Sequence, residues 1–135
     1  MIRLDDQSYF DRPDIDFDNE LGIVFLKFEN EVTLDSLNYS FIELINHPDF
    51  KHNMNACYDY SNAIIETAIR DVERHAQYVA KYLDKRGSSY RLALISDETL
   101  NSALLNVYRL LISKTEVEAE VFTSKPMAIR WLQEG

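Results

Sequence analysis

The sequence predicts a single α/β domain with a mixed five-stranded sheet and four helices, in the order β-β-α-β-α-β-α-β-α. Three observations lead to this prediction. The length of 135 residues corresponds to about one domain. Apolar residues alternate between the two-residue period of strands and the 3.6-residue period of helices. Strands separated by single helices are parallel neighbours joined by right-handed crossovers, so the opening hairpin alone is antiparallel.

The opening hairpin is predicted from residues 14–29, DIDFDNELGIVFLKFE. Its first half alternates apolar and acidic residues, and its second half runs apolar from Ile23 to Phe28. A calcium loop beginning at Asp14 would need Gly at its sixth position and Glu at its twelfth, where this chain has Asn19 and Phe25. The acidic stripe of Asp14, Asp16 and Asp18 is therefore interpreted as the solvated face of an edge strand.

Helix and strand signals alternate through the rest of the chain. Thr33 is the expected N-cap of a first helix, which must end before Pro48. A short strand at 56–60 leads into a long helix, predicted to begin at Ile65 and to close at Gly87. The core stripe of that helix follows helical spacing: Ile65, Ala68, Ile69, Val72, Ala76, Val79, Ala80 and Leu83.

The second half repeats the alternation. The aliphatic run Leu92 to Ile95 is typical of a central parallel strand buried on both faces. Asp97 is expected to cap the next helix. A final strand at 119–122 precedes a last helix that begins at Ser124-Lys125-Pro126. The predicted core face of the Asp97-capped helix consists of Leu100, Ala103, Leu104, Val107 and Leu111.

Charge argues against a nucleic-acid partner. Fourteen Lys and Arg against 23 Asp and Glu give a net charge of −9, which repels phosphate backbones. One basic cluster, Lys81, Lys85, Arg86 and Arg91, is interpreted as a helix C-terminus where cations offset the dipole.

Residues 1–12 are predicted to be an N-terminal arm and residues 13–135 the domain. The longest uncharged apolar run has only six residues, 21–26, which is too short for a transmembrane helix. The acidic first twenty residues do not have the form of a secretory signal. With a single cysteine as well, a cytoplasmic location is expected.

No catalytic, cofactor-binding or metal-binding signature is evident, so the chain is predicted not to be an enzyme. Its three glycines are scattered, unlike a phosphate-binding turn, and a G-x-S-x-G elbow is absent. Cys57 lies in a predicted strand, where a buried, inert thiol is expected. His47, His52 and His75 form no H-x-x-x-H pair, so no metal ligands are assigned.

A polar cluster marks the junction between the predicted strand at 56–60 and the long helix: Asp59, Ser61, Asn62 and Thr67. One interpretation is capping, because the first four amides of a helix lack partners within it. The other is a regulatory turn, because a phosphate there would lie at the positive end of the helix dipole.

A second candidate site lies along the long helix. At about 100° per residue, Asp71, His75, Tyr78 and Tyr82 fall on one flank of its core stripe. One interpretation is that the tyrosines widen the contact with a neighbouring helix. The other is an interaction face for a partner or for self-association, since tyrosine is enriched at interfaces.

The order of elements resembles the STAS domain, and within it the small bacterial single-domain STAS/SEC14-like branch related to anti-sigma-factor antagonists. The likeness spans about residues 13–134. The stretches that carry it are GIVFLKFENEVTLDSL at 22–37, CYDYSNA at 57–63, YRLALISDET at 90–99 and EVFTSKPMAIRWL at 120–132.

The resemblance implies a non-catalytic regulatory or protein-interaction module. Antagonists of this type bind a partner kinase, and phosphorylation of a Ser or Thr at the start of the second helix switches that binding. This chain departs from their Asp-Ser-Ser-Gly signature, because residues 66–69 read Glu-Thr-Ala-Ile and Thr67 is the one hydroxyl among them. The SEC14-like side implies the alternative function, a cavity between sheet and helices for a small apolar ligand or lipid.

Overall fold

The computed structural model describes residues 12–134. Nearly all of the predicted arm, residues 1–12, therefore lies outside the described residues, as does residue 135. The described chain forms five strands and five helices: β1 Asp14–Asp18, β2 Ile23–Val32, α1 Leu34–Ile45, β3 Asn55–Ile65, α2 Ile69–Ala80, α3 Leu83–Arg86, β4 Arg91–Ile95, α4 Thr99–Ile112, β5 Glu118–Phe122 and α5 Lys125–Leu132.

The strands form one sheet in the order β1-β2-β3-β4-β5. β1 pairs with β2 antiparallel, and the other three pairings are parallel, which confirms the predicted fold class. Each new strand is added at the same edge, so right-handed crossovers place α1, α2 and α4 on one face. The last helix, α5, packs on the other face, against β3, β4 and β5.

Alternation along the strands builds a core on each face of the sheet. Val24, Leu26 and Phe28 of β2 belong to the larger core, under α1, α2 and α4. Ile23 belongs to the smaller core under α5. All of Leu92–Ile95 in β4 is at most 2% exposed, which confirms the prediction of a central strand buried on both faces.

The edge-strand and thiol predictions are also confirmed. Asp14 and Asp16 on β1 are exposed at the edge of the sheet. Asp18 has a structural role as well, because its Oδ1 accepts from the backbone N–H of Glu20 at 3.1 Å and of Leu21 at 3.0 Å and so organises the hairpin turn. Cys57 is buried in β3, and burial raises the pKa of its thiol to about 12.

Thr33 is the N-cap of α1, as predicted, and it forms a reciprocal capping box with Ser36. The expected cap of α4 was wrong by one residue. Glu98 is the N-cap, and its carboxylate accepts from the N–H groups of Leu100 at 3.1 Å and Asn101 at 2.7 Å.

The centre of the predicted core face of α4 is displaced by one residue, which is about 100° of rotation. Leu104 is buried as predicted, and Val107 and Leu111 pack partly buried against the same core. Leu100 is 61% exposed and Ala103 is also exposed. The rotation places the Asn101 side chain inward, where its amide forms hydrogen bonds with the backbone of β3. The buried residues are Asn101, Leu104, Leu105, Tyr108 and Ile112.

The boundaries predicted for the third strand and long helix were also wrong. β3 continues to Ile65, and α2 begins only at Ile69 and ends at Ala80. The N-cap is Ala68, which has no capping side chain; instead Asp71 Oδ2 accepts from its N–H at 3.4 Å. The remainder of the predicted helix forms the separate short α3, which accounts for the fifth helix.

His75 lies inside the protein, not on a surface strip. Its side chain is 7% exposed, its Nδ1 is 2.8 Å from Asn38 Oδ1, and its ring is 5.5 Å from that of Tyr108. An amide oxygen can only accept, so Nδ1 carries the proton. Burial penalises the charged form and lowers the pKa of His75 to about 4.

The end of α3 is clamped to the loop before β3. Gly87 has φ +94° and ψ 166°, a conformation that is essentially restricted to glycine. A Cβ there would lie 2.0 Å from Asn53 Oδ1 and 2.7 Å from Asn53 N. Asn53 Oδ1 also accepts from Ser89 N–H at 3.0 Å, so this side chain has little freedom to move.

The buried His75 makes stability depend on pH. In the unfolded chain His75 takes up a proton below about pH 6.5, but in the folded protein it does so only near pH 4. The free energy of unfolding therefore falls as the pH falls between these two values. The full effect is about 3 kcal/mol. The measurement is the free energy of unfolding in urea, plotted against pH for the wild type and for His75→Leu. The wild-type plot should be steeper between about pH 4 and 6.5, and equal slopes would contradict the prediction.

Gly87→Ala is expected to destabilise the fold by about 3 kcal/mol, since both the backbone conformation and the Asn53 contact oppose a Cβ. Gly22→Ala is the matched control. Gly22 also has a positive φ, +70°, but no atom lies within 4 Å of its Cβ position, so it should lose only about 1 kcal/mol. Equal losses in urea unfolding would show that the Asn53 contact is unimportant.

Candidate functional site

The candidate site lies where β3 extends beyond the end of its neighbour β4. β4 ends with Ile95 opposite Asp59, whereas β3 continues for six more residues, 60–65. Beyond a register shift after Lys27, this overhang pairs with β2 as far as Val32 opposite Ile65. The overhang is thus a two-stranded projection at the carboxyl edge of the sheet, the edge where α/β proteins usually place their sites.

Asn101 supplies the hydrogen bonds that β4 does not provide to the overhang. Its Nδ2 donates to Ala63 O at 2.8 Å, and its Oδ1 accepts from Ile65 N–H at 3.0 Å. The carboxamide therefore replaces a strand partner, and it is 1% exposed. The role of Asn101 was not predicted from the sequence. The one indication was its helical spacing with the apolar residues Leu104, Leu105 and Tyr108 of α4.

Asp59 and Ser61 come together on this strand, although not at a helix N-terminus as predicted. Asp59 Oδ1 accepts from Ser61 N–H at 2.9 Å and from Ser61 Oγ at 2.6 Å. Ser61 and Asn62 are exposed. The capping interpretation was wrong for all of these residues, because α2 begins seven residues after Asn62.

Thr67 lies between the end of β3 and the start of α2. Its Oγ1 is buried and has no hydrogen-bond partner, so Thr67 does not cap the helix. The four residues of the predicted turn are therefore divided between an exposed strand segment and a partly buried connection.

Three exposed aliphatic residues flank the overhang, and we call them the edge patch: Ile64, Ile69 and Leu100, which are 56%, 58% and 61% exposed. Ile64 lies between the two residues that bond to Asn101, which follows Leu100 directly. Ile69 begins α2, which packs against α4. The surrounding acidic side chains are exposed: Glu31, Glu66, Asp97 and Glu98.

The second predicted site does not form one continuous strip. Tyr78 and Tyr82 are half-buried and pack beside Phe41 of α1, with ring centroids 6.5 Å and 6.0 Å from it. Asp71 lies in the first turn of α2 and faces Arg74 at 3.5 Å. With His75 buried, the geometry matches the interpretation in which the tyrosines widen a contact between helices.

A cavity of about 30 Å³ lies between the sheet and helices α1, α2 and α4, which is room for one or two water molecules. A second space of about 10 Å³ adjoins it, because Leu37, Tyr58, His75 and Tyr108 line both. Tyr60 and aliphatic side chains of α2, α4 and the sheet form the remaining walls of the larger space. The aliphatic residues are Ile65, Val72, Leu94, Leu104 and Leu105.

The predicted basic cluster is dispersed. Arg91 pairs with Glu118 at 2.9 Å and donates to Trp131 O at 2.7 Å. Lys85 and Arg86 lie in the last turn of α3 before Gly87, which confirms the predicted helix C-terminus. The Arg86 residue is only 1% exposed. Its guanidinium carbon lies 3.5 Å from the centroid of the Tyr90 ring and 5.4 Å from that of Phe50.

Metal sites and membrane-spanning helices were also considered among residues 12–134. Within that range no group of three or more His, Cys, Asp or Glu residues is placed to hold a metal ion. The same range contains no helix with the length and hydropathy needed to cross a membrane.

Comparison with known proteins identifies the fold of this chain. No family model and no curated protein matches the sequence. A solved structure is similar: an uncharacterised protein of the DUF3478 family, with a SpoIIAA-like fold, from Shewanella loihica. The two chains are 16% identical, with a TM-score of 0.57, over 89% of this chain and 91% of that one. The chain therefore has the SpoIIAA-like fold, which is the fold of STAS domains and anti-sigma-factor antagonists.

Proposed function

We propose that this chain is a non-catalytic regulatory module of STAS-like type that binds a protein partner at the carboxyl edge of its sheet. The observation that carries the proposal is the edge patch. Three large aliphatic side chains, each more than half exposed, lie on the overhang and in the first turns of α2 and α4. Burying them against a partner would be favourable, since apolar area removed from water contributes about 25 cal/mol per Å².

Charge indicates the kind of partner. The acidic rim formed by Glu31, Glu66, Asp97 and Glu98 would repel a second copy of itself. We therefore favour a partner with an apolar anchor and basic residues around it over self-association. A cytoplasmic setting is part of this proposal, as the composition indicates.

Two observations support a role without catalysis. The Cys57 thiol, a common type of nucleophile, is buried and has a pKa of about 12. His75 is hydrogen-bonded through Nδ1 to Asn38 inside the larger core, whereas the Asp59–Ser61 pair lies where the overhang begins, at the sheet edge.

Binding of a small ligand is a second candidate function, favoured by the cavity between sheet and helices. Its volume of about 30 Å³ is far below the roughly 300–1,000 Å³ of pockets for drug-sized ligands. We therefore place lipid or large apolar ligands below partner binding.

The edge patch can be tested by replacing Ile64, Ile69 and Leu100 together with Ser. The variant should lose a protein that the wild type captures from native-cell extract, while its unfolding free energy changes by no more than about 1.5 kcal/mol, since each site is exposed. The matched control is Leu110→Ser with Met127→Ser, which changes residues 57% and 52% exposed elsewhere. Capture that is equal for both variants would reject the proposed surface.

Phosphorylation, if it regulates this edge, is expected at Ser61, whose residue is exposed, and not at Thr67, whose Oγ1 is buried. Ser61→Glu would place a second carboxylate beside Asp59 and should strengthen capture of a partner with basic residues, with little loss of stability, because Ser61 is exposed. Thr67→Glu should lower stability by about 2 kcal/mol, because a charged group would replace a hydroxyl whose oxygen is buried.

The matched control is Asn62→Glu, which adds the same charge at an adjacent exposed position. Intact-mass analysis with fragmentation, on protein from the native host, locates any phosphate. A phosphate on Thr67, or capture unaffected by Ser61→Glu, would contradict the assignment to Ser61.

A further inference from the structure

The guanidinium of Arg86 is buried without a partner. The residue is 1% exposed, and none of its three side-chain nitrogens forms a hydrogen bond. Within residues 12–134 no carboxylate forms an ion pair with it. A guanidinium stays charged in proteins, and an unpaired charge in an apolar interior is strongly unfavourable. An anion brought to this position would therefore be stabilised by a charge that is already in place.

Tyr90 connects this charge to the interior space. The guanidinium stacks on the Tyr90 ring at 3.5 Å, and the Tyr90 side chain also lines the smaller part of the cavity, together with Tyr58 and Tyr108. The larger part adds aliphatic walls from α2 and α4. The smaller space thus has phenolic groups in its wall, with the Arg86 guanidinium stacked on the Tyr90 ring, and most of the added wall of the larger space is aliphatic.

The electrostatic coupling between these groups supports their proximity. Burial raises the pKa of Tyr58 to about 12 and raises the pKa of Tyr108 well above its usual value, while the positive charge of Arg86 acts in the opposite direction on both. The same two effects act on Tyr90. The field of Arg86 therefore reaches all three hydroxyl groups, which remain protonated at neutral pH and can donate hydrogen bonds.

We propose that this interior binds a small organic acid, with its carboxylate held by Arg86 and the hydroxyls of Tyr58, Tyr90 and Tyr108. The hydrocarbon part would occupy the aliphatic end of the cavity. Because the guanidinium nitrogens are covered, binding requires a movement of the Tyr90 ring. The inference deepens the second candidate function, ligand binding, and is independent of partner recognition at the edge patch.

A carboxylate suits the site better than a phosphate for two reasons. A carboxylate carries one negative charge and matches one guanidinium, with which it forms bidentate hydrogen bonds. A phosphate would leave uncompensated charge in an interior that excludes water. The two adjoining spaces, about 30 Å³ and about 10 Å³, also favour a ligand of a few heavy atoms.

Thermal unfolding at pH 7 tests the proposal, with sodium formate, acetate, butyrate and octanoate compared with sodium chloride at equal ionic strength. A ligand that binds only the folded state raises Tm, and we expect a rise of about 4 °C or more for at least one carboxylate. A response to formate or acetate alone identifies a small acid, and a response to octanoate identifies the carboxylate of a longer chain.

Arg86→Met removes the charge and should abolish the carboxylate-dependent rise in Tm. Lys81→Met removes an exposed cation of the same segment and should keep the rise. Tyr108→Phe retains the charge but lacks one donor, so it should reduce the rise even if Arg86→Met does not fold.

Two results would overturn the proposal: no carboxylate raises Tm above its value in chloride, or the rise is the same in Tyr108→Phe and Arg86→Met as in the wild type. The Ser variant of the edge patch should keep the full rise in Tm. Failure of the ligand proposal and failure of the partner proposal are therefore distinguishable.

Discussion

The parallel pairing of β2 with β3 is the constraint on which the rest of the structure depends. These are the two longest strands of the described chain, ten and eleven residues, whereas β1, β4 and β5 have five each. Because β4 ends at Ile95, the excess length of β3 must find hydrogen bonds elsewhere. The Asn101 amide provides them, and this requirement sets the rotation of α4, exposes Leu100 and so creates the edge patch.

Two buried polar side chains show opposite solutions to the same physical problem. Asn101 is 1% exposed and forms hydrogen bonds with two backbone groups of β3. Its amide therefore holds the end of β3 in place without leaving an unpaired polar group. Arg86 is equally buried but has only aromatic faces beside it. Cation–π contact recovers part of the lost hydration, and less when the ring is as distant as that of Phe50.

Sequence reasoning succeeded where local chemistry agrees with tertiary packing. The hairpin, the Thr33 cap and the aliphatic strand β4 are examples, because each preference is satisfied by near neighbours. It failed at Ser61 and Asn62, whose polar side chains favour turns locally but belong to β3, which continues along β2 to Ile65. It also failed at His75 and Arg86, because an imidazole partner such as Asn38 and an aromatic stack such as Tyr90 are invisible to helical spacing.

The strand order has a consequence for synthesis of the chain. Each strand pairs with the strand made immediately before it, so no later segment has to insert between two strands that already pair. The sheet can grow in the order in which the ribosome releases it, because each step joins the new strand to the strand before it. The helix α5 emerges after all five strands and closes the second face, so Cys57 remains open to oxidants and chaperones on that face until α5 has been made.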